Sequence, residues 1–184
     1  MGEAAARVRD RLRDALAERL PRYEWTTERR VGRTPVDVVG VATGEIPGSG
    51  VVLVEVEWRR ADPVDNPVKL CRHAAAGRLP DPDGGEAGPS DSGNPDESGA
   101  VERSALCVQL FSDYYDLASG GVSAKRENAA FAGRRLARTV DGLEYAALSL
   151  PVTPPKRGGD LPKGWRATVA ETTGAVARRV REDL

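Results

Sequence analysis

One histidine, His73, two cysteines, one methionine and two phenylalanines are all that this 184-residue chain holds of those residue types. A lone imidazole argues against a histidine-rich metal site, a Ser-His-Asp hydrolase and an HNH-type nuclease. Any chemistry must therefore run on carboxylates, lysines or hydroxyls. Cys71 and Cys107 cannot form a disulfide framework, so reduced thiols in a cytoplasmic protein are expected. No stretch approaches the roughly 20 apolar residues needed to cross a bilayer, and no membrane partner is expected. The opening "MGEAAARVRDRLRDALAERL" is charged throughout, unlike a secretory signal. Its Met-Gly start lacks the serine or threonine that myristoylation wants, because position 6 is Ala6.

With 40% hydrophobic and 30% charged residues, the composition fits one soluble domain, residues 1–184, large enough for a real core. The net charge of −1 conceals an asymmetry. Residues 80–104 carry seven acids against one base, a local −6 that leaves the remainder at +5. That segment, rich in Pro, Gly, Ser and Asp, reads as a disordered acidic insertion. The rest is mildly basic and its bases are mostly arginine, which suits phosphate contacts.

The spacing predicts a helix over 4–20, with Val8, Leu12, Leu16 and Leu20 on one stripe and Pro21 as its stop. Strands follow at 23–31, 35–43 and 50–58, the last two joined by the turn-rich "GEIPGSG" of an antiparallel hairpin. "DNPVKLCRHAAAGR" begins a helix, with Asp65 or Asn66 as its N-cap and Pro67 in its first turn. A strand at 105–115, a helix at 123–140, a strand at 143–152 and a helix at 162–183 complete the order. The closing helix carries Trp165, Val169, Val176 and Val180 as its apolar stripe. This succession predicts an α/β fold, a mixed sheet with helices on both sides.

The strand "VVLVEVEW" interrupts its own hydrophobic pattern. Period-2 alternation puts Val51, Leu53, Glu55 and Glu57 on one face, with the two acids roughly 7 Å apart. Folding the hairpin about positions 46 and 47 sets Asp37 opposite Val56, and a one-residue shift sets it opposite Glu55 or Glu57. Three acids on one apolar face are costly unless a cation sits between them. A hard cation such as Mg²⁺ or Mn²⁺ prefers such oxygen ligands, and it assists phosphodiester hydrolysis.

These residues resemble the PD-(D/E)XK nuclease superfamily: Pro35-Val36-Asp37 on one strand, then Glu55-Val56-Glu57 on the next, in the order helix, three strands, helix, strand. The resemblance covers roughly residues 4–115 and implies a restriction-endonuclease-like fold. Two features depart from the common pattern: one residue separates the proline from Asp37, and Glu57 stands where a lysine is usual. A subgroup of type II restriction endonucleases carries Glu-x-Glu there, and "EVEWRRADPVDNPVKL" resembles its segment through Trp58 and Asp62-Pro63. The resemblance implies a DNA endonuclease of restriction, defence or repair type. Asp37, Glu55 and the carbonyl of Val56 would bind metal, and Glu57 would hold a second metal or accept a proton. A fourth acid from the first helix would be Glu18, with Glu24 as the weaker candidate.

Arg59, Arg60, Lys69, Arg72, Arg134, Arg135 and Arg138 are the candidate nucleic-acid contacts, with a solvated helix face as the plainer reading for the last three. Asp62-Pro63 also reads as an ordinary turn, and Tyr114-Tyr115 as core or rim. "PPKRGGDLPKG" is no phosphate-binding Walker loop, since no Ser or Thr follows Lys163. Two further functions compete with an active nuclease. One is a nuclease-fold module that has lost catalysis and binds nucleic acid or a protein; the other is an interaction domain whose glutamates are merely surface. The length leaves room for a homodimer and for a methyltransferase or other defence partner.

Overall fold

In a computed structural model, the described residues are 2–44, 50–80, 104–156 and 159–184. The acidic insertion lies outside them, apart from Pro80 and Ser104 at its ends. Four helices and five strands follow in order: α1 Glu3–Arg19, β1 Tyr23–Val31, β2 Thr34–Ala42, β3 Val51–Glu57, α2 Asp65–Ala75, β4 Ala105–Ser112, α3 Ala124–Ala137, β5 Leu143–Leu150 and α4 Trp165–Asp183.

The strands form one sheet in the order β1-β2-β3-β4-β5. The pairs β1-β2 and β2-β3 are antiparallel, while β3-β4 and β4-β5 are parallel. Both parallel crossovers step the same way across the sheet, so the right-handed rule puts α2 and α3 on one face. Helices α1 and α4 pack together over the other. The mixed sheet with helices on both sides is the arrangement that the element order predicts, and it is consistent with a restriction-endonuclease-like fold.

Burial follows the patterning. Every residue of β3 and β4 is buried, as strands covered on both faces require. Val8, Leu12, Leu16 and Leu20 pack with Val52, Val54 and Val56 of β3 and with Trp165, Val169, Val176 and Val180. Each such aliphatic side chain removed from water contributes about 1.5–3 kcal/mol, which fixes α1 and α4 to this face. Opposite, Val39, Val51 and Leu53 pack on Leu70, Cys71 and Cys107, and the two thiols are free.

Three local features differ from the sequence reading. Helix α2 is capped by Val64, not by Asp65 or Asn66, and Asn66 is buried for another use. The strand expected over 105–115 stops at Ser112, where a 3₁₀ turn, Asp113–Tyr115, buries Tyr115 beside Phe111. Helix α4 starts at Trp165 because Gly164 before it takes a left-handed conformation, φ 86°.

Candidate active site

The acids sit where the apolar face of the sheet meets the start of α2. Residues 37, 39 and 41 of β2 and 51, 53, 55 and 57 of β3 share this face. Val51 and Leu53 fill the core below α2, and the strand then delivers Glu55 and Glu57 toward Asn66 in the first turn of the helix. That end of a helix carries partial positive charge and favours nearby anions. The β2-β3 register, Val38 with Val54 and Val39 with Leu53, extends to place Asp37 opposite Glu55. This is the one-residue shift from the symmetric hairpin, which would have faced Asp37 to Val56.

Asp37 ends the ladder with its side chain. Its Oδ2 accepts the backbone N–H of Val56 at 2.8 Å, and the residue is 4% exposed. Across β1, the pairing brackets Asp37 between Thr27–Val38 and Arg29–Val36 but leaves out Glu28, which adopts φ 55°. A left-handed φ is uncommon for glutamate, and it marks a local distortion beside the acid. Glu28 accepts a 2.5 Å bond from the buried Arg9 of α1, whose positive charge also favours ionised Asp37.

Glu55 and Glu57 are held by amides. Asn66 Nδ2 donates to Glu55 Oε2 at 3.2 Å and to Glu57 Oε1 at 3.1 Å. Gln109, central in β4, donates from Nε2 to Glu57 Oε1 at 2.7 Å and to the carbonyl of Pro63 at 2.9 Å. Its Oε1 accepts the hydroxyl of Tyr145 at 2.5 Å, so the amide is oriented with both its acceptors at one end and its donor at the other. Two carboxylate oxygens, Glu55 Oε1 and Glu57 Oε2, are buried with no hydrogen-bond partner among the described residues.

The electrostatics follow from burial. Loss of water raises the pKa of Asp37, opposed by the Val56 N–H and by Arg60 and Arg9. Glu55 is raised well above the usual glutamate range, first by burial and then by the neighbouring charge of Asp37. Glu57 is raised to about 7 by burial, against Arg60, Gln109 and Asn66. The cluster thus keeps protons near neutrality where separate carboxylates would have lost them.

Among the described residues, no three His, Cys, Asp or Glu side chains stand ready as a metal cage. Glu57 is turned to Asn66 and Gln109, and one oxygen of Asp37 is spent on Val56. The donor chemistry still suits a hard divalent cation: two facing carboxylates, a partnerless buried Glu55 oxygen and the backbone carbonyl of Val56 between the glutamates.

The other candidates from the sequence scatter. Glu18 is exposed on α1 and stands apart, because the residue of that helix that reaches Asp37 is Arg9, about 13 Å earlier along the axis. Glu24 is exposed opposite Val41, four positions along β2 from Asp37. Arg60 lies over the acids, its Nε 3.8 Å from Glu57 Oε2. Arg59 bonds the carbonyl of Pro154 and lines a groove of about 420 Å³ with Arg7, Trp58 and Lys156. Lys69 pairs with Asp65 one turn back on α2, and Arg72 is exposed in the last turn of that helix. Arg134, Arg135 and Arg138 are exposed at the C-terminal end of α3, and Arg134 and Arg138 line a recess at the start of β5. The acids lie at the opposite, C-terminal end of the parallel strands.

Asn66, Gln109, Tyr145 and Arg9 were missed by sequence reasoning. Gln109 had a signal: a lone amide inside "ALCVQLFS", a strand with no other reason to bury one. No protein-family model matches the chain, and comparison with curated proteins and with solved structures found no match.

Proposed function

We propose that this protein is a divalent-metal-dependent endonuclease that hydrolyses phosphodiester bonds in DNA. The observation that carries the reading is the burial of Asp37, Glu55 and Glu57 on one face at the C-terminal end of β3, with one oxygen of each glutamate lacking a hydrogen-bond partner among the described residues. Burying three acids costs several kcal/mol unless a cation is their partner, so a fold that keeps them together has a use for them.

Asp37 and Glu55, with the carbonyl of Val56, would hold Mg²⁺ or Mn²⁺, which when bound supplies positive charge at the phosphate and a water that ionises near neutral pH. Glu57 stands beside them with Oε1 fixed by Gln109 and Asn66, and Oε2, which has no hydrogen-bond partner among the described residues, is the oxygen that would accept a proton. Hydrolysis adds one water oxygen to phosphorus and breaks one P–O ester bond. One proton of that water passes to Glu57, and the departing alcohol takes its proton from solvent. Glu18 has no part in this scheme. A homodimer, or a methyltransferase or other defence partner, belongs to the same proposal.

A second reading has its own observation. Glu57 replaces the usual lysine and is already engaged by two amides, which favours a nuclease-fold module that binds nucleic acid or protein without cutting. Plasmid nicking in Mg²⁺ and in Mn²⁺ separates the two. Nicking by the wild type that Glu55→Ala abolishes supports the enzyme; metal-dependent plasmid binding with no nicking supports the silent module.

A further inference from the structure

The strand that carries Glu55 and Glu57 has no cation of its own beside the acids, yet the chain supplies one three residues later. Tyr115 brings it there. Its hydroxyl accepts the backbone N–H of Arg60 at 3.0 Å and donates to the Arg60 carbonyl at 3.1 Å, turning the loop after β3 back over the site. Arg60 Nη1 donates to Asn66 Oδ1 at 2.7 Å, while the amide nitrogen of the same Asn66 donates to both glutamates. Asn66 is thereby oriented from both ends: its oxygen meets the guanidinium and its NH₂ meets the carboxylates.

The contact between Arg60 and Glu57 is loose. At 3.8 Å from Nε to Oε2 it is an ion pair without a hydrogen bond, and among the described residues Asn66 is the side chain that takes a hydrogen bond from the guanidinium. The side chain is 42% exposed, while that of Glu57 is fully buried, so Arg60 forms the solvent side of the site.

We propose that Arg60 is a catalytic residue: without substrate its guanidinium pairs with Glu57 over the buried acids, and with substrate it leaves Glu57 for a non-bridging oxygen of the scissile phosphate. The planar fork of arginine suits phosphate better than it suits a single carboxylate oxygen at 3.8 Å. The inference rests on the phosphodiesterase reading.

Arg60→Ala and Arg60→Lys test it through two opposed effects. Calorimetry with Ca²⁺, taken at a pH where the affinity of each protein no longer changes with pH, shows Arg60→Ala binding the ion several-fold more tightly, because a nearby positive charge is gone. A short labelled duplex in Ca²⁺ then binds about tenfold more weakly, with a salt dependence shallower by about one phosphate contact. Nicking in Mg²⁺ falls by about 10²-fold or more. Arg60→Lys keeps the ion affinity of the wild type and recovers part of the nicking. Ion and duplex affinity falling together in Arg60→Ala would overturn the proposal and make Arg60 a structural prop, and so would duplex binding equal to wild type. A wild type that binds ion and duplex but cuts nothing defeats the nuclease reading alone, and the opposed binding effects still decide whether Arg60 meets the phosphate.

Discussion

Glu57→Gln makes the metal-free protein more stable in alkaline solution, and the size of the gain follows from the burial of this carboxylate. Its side chain has no solvent exposure, and loss of water raises its pKa from 4.5 to about 7. A carboxyl whose folded pKa is raised binds its proton more tightly in the folded state. Its contribution to stability is therefore complete below about pH 4.5 and is lost as pH climbs through about 7. At about 1.4 kcal/mol per pH unit, that rise amounts to roughly 3 kcal/mol. Glutamine keeps an oxygen for the Asn66 and Gln109 N–H groups and has no proton to lose. Urea unfolding in EDTA, followed by tryptophan fluorescence, should show the variant more stable than the wild type by roughly 3 kcal/mol at about pH 8, the gap closing toward about pH 4. Asp37 and Glu55, both raised as well, leave the variant a residual slope of the same sign. A gap that does not change with pH, or a wild type that gains stability from about pH 5 to 8, refutes the reasoning.

The clamp behind the site makes two further predictions. Tyr145→Phe removes the donor to Gln109 Oε1 and leaves a buried acceptor unpaired, costing about 1–3 kcal/mol by urea unfolding; an unchanged midpoint would mean that Gln109 finds another donor. Gly133→Ala puts a methyl group 2.3 Å from the Tyr145 ring. It should lower the melting temperature despite the better helix propensity of alanine, which is worth only about 1 kcal/mol. A higher melting temperature would show that the ring of Tyr145 is free to move.

Much of the fold was legible because its signals are local. The stripe of α1, the stop at Pro21 and the alternation in β2 and β3 each act within a few residues, and these elements lie where they place them; the turn residues 45–49 lie outside the described residues. Register was harder. A difference of one residue in the pairing moves Asp37 from Val56 to Glu55. Within the site, the acids were readable as polar residues on an apolar face. Their partners were not: Asn66 looks like an N-cap from its neighbours, and Tyr145 reaches Gln109 only through the pairing of β4 with β5. Glu18 failed for a related reason, since helix periodicity gives its face but not its height along the sheet.

The most direct test of the carboxylate site is calorimetric titration of the wild type and of Asp37→Asn with Mn²⁺ and Mg²⁺. Asparagine keeps an oxygen for the Val56 N–H, so the fold is retained while the charge is lost. The account predicts saturable binding to the wild type, with proton release as the raised carboxyls give up their protons, and affinity at least about tenfold weaker in Asp37→Asn. A folded wild type that binds neither ion, or an Asp37→Asn variant that binds as tightly as the wild type, would contradict it.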